Sequence, residues 1–231
     1  IAAIGGQGIG TGATLGAHHV QKSLDQVAAG PGFMTHATGL AWFGVSGAAM
    51  TGLNKTVALV GMMGAGKTSI GKRLAARLEV PFRDADHEIE EAASLSVAEI
   101  FAKFGEGEFR DGERRVIARL LDEPPHILAT GGGAFIDEGT RAGMKAGAFT
   151  IWLDAPVDIL LGRVRKRQES DATRPLLATG DMRGTLESLL AERAPLYAQA
   201  DMTLDSHDGP HAAVVDRIIA ALDRHGLWRA P

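Results

Sequence analysis

Residues 56–78 read TVALVGMMGAGKTSIGKRLAARL, a segment that few architectures accommodate. A β-rich run, TVALVG, meets a glycine loop, and Ile70, Leu74 and Leu78 then recur at helical spacing. Strand, loop and helix are predicted in that order. Gly61, four further residues, then Gly66, Lys67 and Thr68 satisfy the pattern Gly-x-x-x-x-Gly-Lys-[Ser/Thr] in the context its mechanism requires. Glycines let the backbone aim several N–H groups at phosphate oxygens, and the helix N-terminus adds partial positive charge. Gly64, Ala65, Gly66, Lys67, Thr68 and Ser69 are therefore the candidate ATP-binding residues. Lys67 is expected to reach the β and γ phosphates, and the Thr68 hydroxyl to ligate Mg²⁺.

Strand and helix signals keep alternating. PFRDAD reads as a second strand ending in Asp84 and Asp86, and residues 88–121 as helical in pieces, broken by Gly105 and Gly107. HILATGGG is a third strand running into a glycine turn, AFTIWLDAP a fourth with Pro156 opening the next helix, and DMTLD a fifth. Leu186 to Gln199 is helical, bent or ended by Pro195, and Ala212 to His225 closes the chain as an amphipathic helix. This alternation predicts a three-layer α/β fold: a five-stranded parallel sheet with helices on both faces.

Residues 1–52 have a different character, with two charged side chains, Lys22 and Asp25, and 12 of the 30 glycines. The chain is accordingly divided into a Gly-rich N-terminal segment, 1–52, read as poorly ordered or not native to the domain, and a domain at 53–231; Met50 is a plausible natural start. Gly8, Gly10 and Ala13 imitate a dinucleotide loop, but only IAAIGG precedes them and no acid follows at the expected distance. His18, His19 and His36 lack a carboxylate or thiol partner for a metal site. A formal charge of −4 gives no basis for binding nucleic acid or an anionic membrane, and the absence of cysteine excludes thiolate chemistry while agreeing with a cytoplasmic location.

GMMGAGKTSIGKRLA, DADHEIE, FGEGEFRDGE, ATGGGAF, ATRPLL and ERAPLYAQAD, in that order across residues 55 to about 205, resemble the motifs of shikimate kinase. The resemblance implies a nucleoside monophosphate kinase-like P-loop fold with a mobile lid at about 166–180. The implied reaction is transfer of the γ-phosphoryl of Mg-ATP to the 3-hydroxyl of shikimate, a step in aromatic amino-acid biosynthesis. Lys67, Asp86 and Arg174 would then be catalytic. Asp86, Arg110, Gly131, Gly132, Gly133 and Arg193 would bind shikimate, and Asp84 would join Thr68 at the metal. Arg167 and Pro210 would flank adenine, and Arg174 would meet the transferring phosphoryl group.

Each residue also has its own physical reading. Asp84 and Asp86 alternate along a strand end and should point to opposite sides, or else cap the following helix. Guanidinium forks at Arg110 and Arg193 suit a planar carboxylate, although isolated arginines are more often surface ion pairs. Arg163, Arg165 and Lys166 read by default as a solvated helix face, and His87 as a surface residue of a first helical turn. Near the C-terminus LDSHDGPHAA lacks the arginine many family members carry beside adenine. The expected partners are ATP and shikimate, without nucleic acid or membrane, for a monomer. A gluconate kinase-like enzyme and a catalytically silent nucleotide-binding regulator are the competing readings.

Overall fold

The computed structural model describes residues 52–168, 181–206 and 210–229, excepting the side chains of 167 and 168. Readings placed on residues 1–51, on Arg174, on the Arg167 side chain and on nearly all of the lid lie outside the described residues. Along the chain come β1 (Gly52–Leu53), β2 (Thr56–Val60), α1 (Lys67–Leu78), β3 (Phe82–Asp84), α2 (Ala85–Ala93), α3 (Val97–Leu121) and β4 (Ile127–Ala129). They are followed by α4 (Glu138–Gly147), β5 (Ala148–Asp154), α5 (Val157–Gln168), α6 (Met182–Tyr197), β6 (Met202–Asp205), α7 (His211–Arg224) and β7 (Trp228–Arg229).

Five strands form a parallel sheet in the order β3-β4-β2-β5-β6. Strand β2, TVALV, is buried along its whole length, as a central parallel strand covered on both faces must be. From β2 the chain goes to one side for β3 and β4 and to the other for β5 and β6, so a crevice opens at the carboxyl ends of β2 and β4. Helix α1 packs on α7, α5 on α6, and α3 on both α2 and α4. Ile70, Leu74 and Leu78 of α1 are all buried, on the stripe their spacing predicts. No helix among the described residues is long and apolar enough to cross a membrane.

Three local expectations are corrected. Strand β3 ends at Asp84, and Asp86 lies in the first turn of α2 instead of on the strand. The buried residues Ala85, Ile89 and Ala93 recur every four positions, so burial of one helical face overrides the short β alternation. Only Gly105 breaks α3, with φ 81 and ψ 175, whereas Gly107 continues the helix. Arg163 does not lie on a solvated face, as the site below shows. In addition, β1 and β7 pair antiparallel, Gly52 opposite Arg229 and Leu53 opposite Trp228, which two-residue strands give no periodicity to announce. Asn54 reinforces the ribbon by donating from Nδ2 to the Gly226 carbonyl at 2.8 Å.

Candidate active site

The phosphate side is a backbone device. Gly61, Gly64 and Gly66 take φ of 131, 81 and 97, conformations that other residues rarely adopt. A Cβ at Gly61 would stand 2.7 Å from the Leu153 carbonyl oxygen, so the loop also needs glycine for space. Helix α1 then starts at Lys67 with no side-chain cap and no acid in its first turn, leaving its amide end to an anion. Lys67 is 8% exposed and donates from Nζ to the carbonyls of Gly61 at 2.7 Å and Met62 at 2.9 Å. Ala65 is fully buried, and Ser69 is exposed in the first helical turn.

Thr68 donates its hydroxyl to Asp84 Oδ2 at 2.8 Å, so the two expected metal ligands stand side by side. A hydroxyl and a carboxylate at a phosphate-binding helix end suit Mg²⁺, a hard cation that takes few protein oxygens along with phosphates. Asp84 is the N-cap residue of α2 but makes no side-chain cap hydrogen bond, so its carboxylate is committed to Thr68 and not to capping.

Arg163, on α5, directs Nη1 to the loop carbonyls of Gly64 at 3.3 Å and Ala65 at 3.4 Å, and to Ser206 Oγ at 3.3 Å. Ser206 itself donates to the Ala65 carbonyl at 2.9 Å. Arg165 and Lys166 are exposed, so the solvated-face reading holds for these two and fails for Arg163. Helical spacing alone does not tell which of three neighbouring cations turns inward. Burial first, and then the Arg73 and Arg163 charges, lower the His211 imidazole, which places these cations on one flank. Pro210 is exposed and caps α7 at its N-terminus.

The acceptor side converges on the turn Gly131 to Gly133. A Cβ at Gly131 would stand 2.7 Å from Asp86 Oδ1 and 2.9 Å from Glu113 Oε1, and one at Gly133 would land on the Arg110 guanidinium. Gly132 faces the other way, its missing Cβ 3.4 Å from the Met63 amide nitrogen and 3.7 Å from the Gly61 carbonyl oxygen. One turn of small residues thus separates the phosphate loop from Asp86, Glu113 and Arg110. Thr130, at the strand end before it, is buried and donates its hydroxyl to the Leu59 carbonyl at 3.1 Å.

Arg110 is held from two directions, by Glu113 Oε2 at 2.6 Å and by Glu106 Oε1 at 3.1 Å. Burial works against its charge, but these carboxylates outweigh it and raise the guanidinium above its ordinary range. Glu113 is only 1% exposed, and its second oxygen, Oε1, has no partner among the described residues. Burial pushes its carboxyl up to about 7, with Arg110 opposing. Arg193, on α6, reaches the Gly132 carbonyl at 3.5 Å through Nη1, while its buried Nε lacks a partner among the described residues. A guanidinium with an uncommitted buried donor favours an incoming anion.

Asp86, Arg110, Arg193 and the glycine turn, far apart in sequence, therefore meet at one place. Glu113 and Tyr197 belong with them but were not singled out from sequence. The motifs FRDGE and ERAPLY contain both; i,i+3 spacing from Arg110 and i,i+4 spacing from Arg193 were the available signals.

A profile of the shikimate kinase family matches residues 63–223. A shikimate kinase of Bradyrhizobium diazoefficiens is 55% identical over 171 residues, covering 74% of this chain and 81% of its own length. Among solved structures, shikimate kinase from Acinetobacter baumannii in complex with shikimate is 35% identical, with a TM-score of 0.70 over 74% of this chain and 94% of that one. Shikimate kinase from Bacteroides thetaiotaomicron is 30% identical, with a TM-score of 0.66 over 73% of this chain and 98% of that one.

Proposed function

The chain belongs to the shikimate kinase family, and from that premise we propose a division of roles within the cleft. Its activity is phosphoryl transfer from ATP to an alcohol, the 3-hydroxyl of shikimate. In this reading Gly64 to Ser69 cradle the phosphates with backbone N–H groups, and Lys67 turns from its own loop carbonyls to the β and γ phosphates. Asp86 orients the attacking hydroxyl and accepts its proton. Arg110, steadied by Glu113, and Arg193 grip the carboxylate of the acceptor, and Gly131 to Gly133 let its ring approach the backbone. Thr68 and Asp84 would hold Mg²⁺, which when bound neutralises charge on the transferring group. Catalysis then rests on positioning and charge stabilisation, with little covalent work for the protein.

One observation carries the reading: Asp86, Glu113 and Arg110 crowd one side of a glycine turn whose other side touches the phosphate loop. The residues that would hold the acceptor and the loop that would hold the phosphates are thereby anchored to the same turn. The reading calls on no group from a second copy of the chain, and the enzyme is proposed to act as a monomer. Arg174 and Arg167 enter from the motif order, as the lid arginine and the adenine-stacking arginine. Arg163 joins them as a nucleotide-side cation because of its place beside the loop.

An acceptor screen tests the reading. Purified protein with ATP and Mg²⁺ should release ADP in the presence of shikimate, and faster turnover with gluconate would transfer the assignment to the sugar-acid kinases. Absence of any shikimate-dependent turnover would favour the silent regulator.

A further inference from the structure

Tyr197 is the chain's single tyrosine and is fully buried at the end of α6. Its ring lies against Trp152 of β5, with centroids 5.8 Å apart. Burial pushes the phenol up to about 12, with the Arg193 charge opposing, so at any working pH the hydroxyl keeps its proton and serves as a donor. It donates to the Gly132 carbonyl and lies 3.9 Å from the sulfur of Met62 in the phosphate loop.

The contact on Gly132 differs from others in the turn. The carbonyls of Gly131 and Gly133 accept from the nearby amides of Ala134 at 3.3 Å and Ile136 at 3.0 Å, which fixes the turn internally. The Gly132 carbonyl is instead held from another element. Because the peptide unit is planar and trans, fixing that oxygen also fixes the direction of the Gly133 N–H on the opposite side. Gly132 also lies against Met63 and Gly61 of the phosphate loop. A buried tyrosine that merely satisfied a carbonyl would not need to meet both sides of the cleft.

We propose that Tyr197 is a positioning residue that sets the spacing between the acceptor-side glycine turn and the phosphate loop, and hence the distance across which the phosphoryl group travels. Arg193, one turn earlier on the same helix, touches the same carbonyl weakly, at 3.5 Å. When Arg193 engages an acceptor carboxylate, Tyr197 remains as the fixed tie. This inference rests on the division of roles proposed above.

Tyr197→Phe removes the hydroxyl and keeps the ring on Trp152. Since a misplacement of about 1 Å can cost ~10²-fold in rate, a small opening of the gap should lower kcat about tenfold. The KM values for ATP and shikimate should stay within about twofold, because neither ligand touches the phenol in this scheme. A kcat within about twofold of the parent overturns the proposal, as does a loss of kcat matched by a loss of ligand affinity. Should the variant fold poorly, the parent protein grown with 3-fluorotyrosine carries one fluorine resonance. It should shift when shikimate alone is added and again when ADP alone is added; a resonance unmoved by both overturns the proposal. Absence of shikimate turnover in the parent protein would instead indict the functional reading, so the two failures are distinguishable.

Discussion

On the phosphate side, the groups from Gly61 to Ser69 lie in one continuous stretch, and most of what they present is backbone. Their placement depends first on three positive-φ glycines and a helix start, which the local sequence decides, with Arg163 and Ser206 added from later elements. On the acceptor side, Asp86 comes from α2, Arg110 and Glu113 from α3, the glycine turn from the end of β4, and Arg193 and Tyr197 from α6. These groups meet only after the sheet has formed; Glu113 and Tyr197 among them are buried, and Glu113 is paired with the half-buried Arg110. A phosphate is the same in every nucleotide and can be met by a fixed local cradle. An acceptor with its own hydroxyls and carboxylate demands side chains drawn from several elements, and the cost is buried charge.

If the two sides are separable, damage to one should leave the other working. The largest effect is expected from Asp86→Asn, which preserves shape but removes the proton acceptor. Positioned acid–base groups are worth about 10²–10⁴-fold, so turnover should fall within that range while ATP affinity, measured by calorimetry, stays near the parent value. A parallel loss of ATP affinity would show that the cleft cannot be divided this way. Near-normal turnover would remove Asp86 from the hydroxyl side.

The contrast also explains what was legible in the sequence. Gly61, Gly66, Lys67 and Thr68 announce their chemistry through spacing alone, because the cradle is contiguous. The five sheet strands and the stripe of Ile70, Leu74 and Leu78 are similarly local. Asp86 and Arg110 could be assigned only through resemblance to a family, since nothing in DADHEIE or EFRDGE says that the two segments meet at Gly131 and Gly133. Arg163 was missed because its inward turn is decided by carbonyls about a hundred positions earlier in the chain. Glu113 was missed because a carboxylate three residues from an arginine looks like any helical ion pair until its burial is known.

That burial supplies a medium-sized test through pH. The Glu113 carboxyl rises from 4.5 to about 7 on folding, so the native state holds this proton more tightly than the unfolded chain. Its contribution to stability is therefore full below the unfolded value and is lost as pH rises through the folded one. With at most ~1.4 kcal/mol per pH unit, the loss between about pH 5 and about pH 7 is about 2 kcal/mol. Glu113→Gln cannot titrate, so its stability should lack this fall. Urea midpoints across that range should diverge between the two proteins, whereas parallel curves would mean that Glu113 is hydrated and the acceptor side less dependent on buried charge.

The smallest effect is expected where the two sides use the same residue type for different reasons. At Gly61 a side chain would meet the Leu153 carbonyl at 2.7 Å with φ at 131, and neither backbone can yield. At Gly133 the obstacle is the far end of Arg110, a flexible side chain, and no positive φ is required. Gly133→Ala should therefore fold with nearly unchanged thermal stability and push the guanidinium slightly off its place between Glu113 and Glu106. Weakening one such contact by about 0.5–1.5 kcal/mol raises the KM for shikimate about two- to tenfold and leaves the KM for ATP alone. An unfolded or ATP-defective Gly133→Ala protein would mean that the glycine turn is built like the phosphate loop, by backbone necessity, and that Arg110 is not what occupies the space.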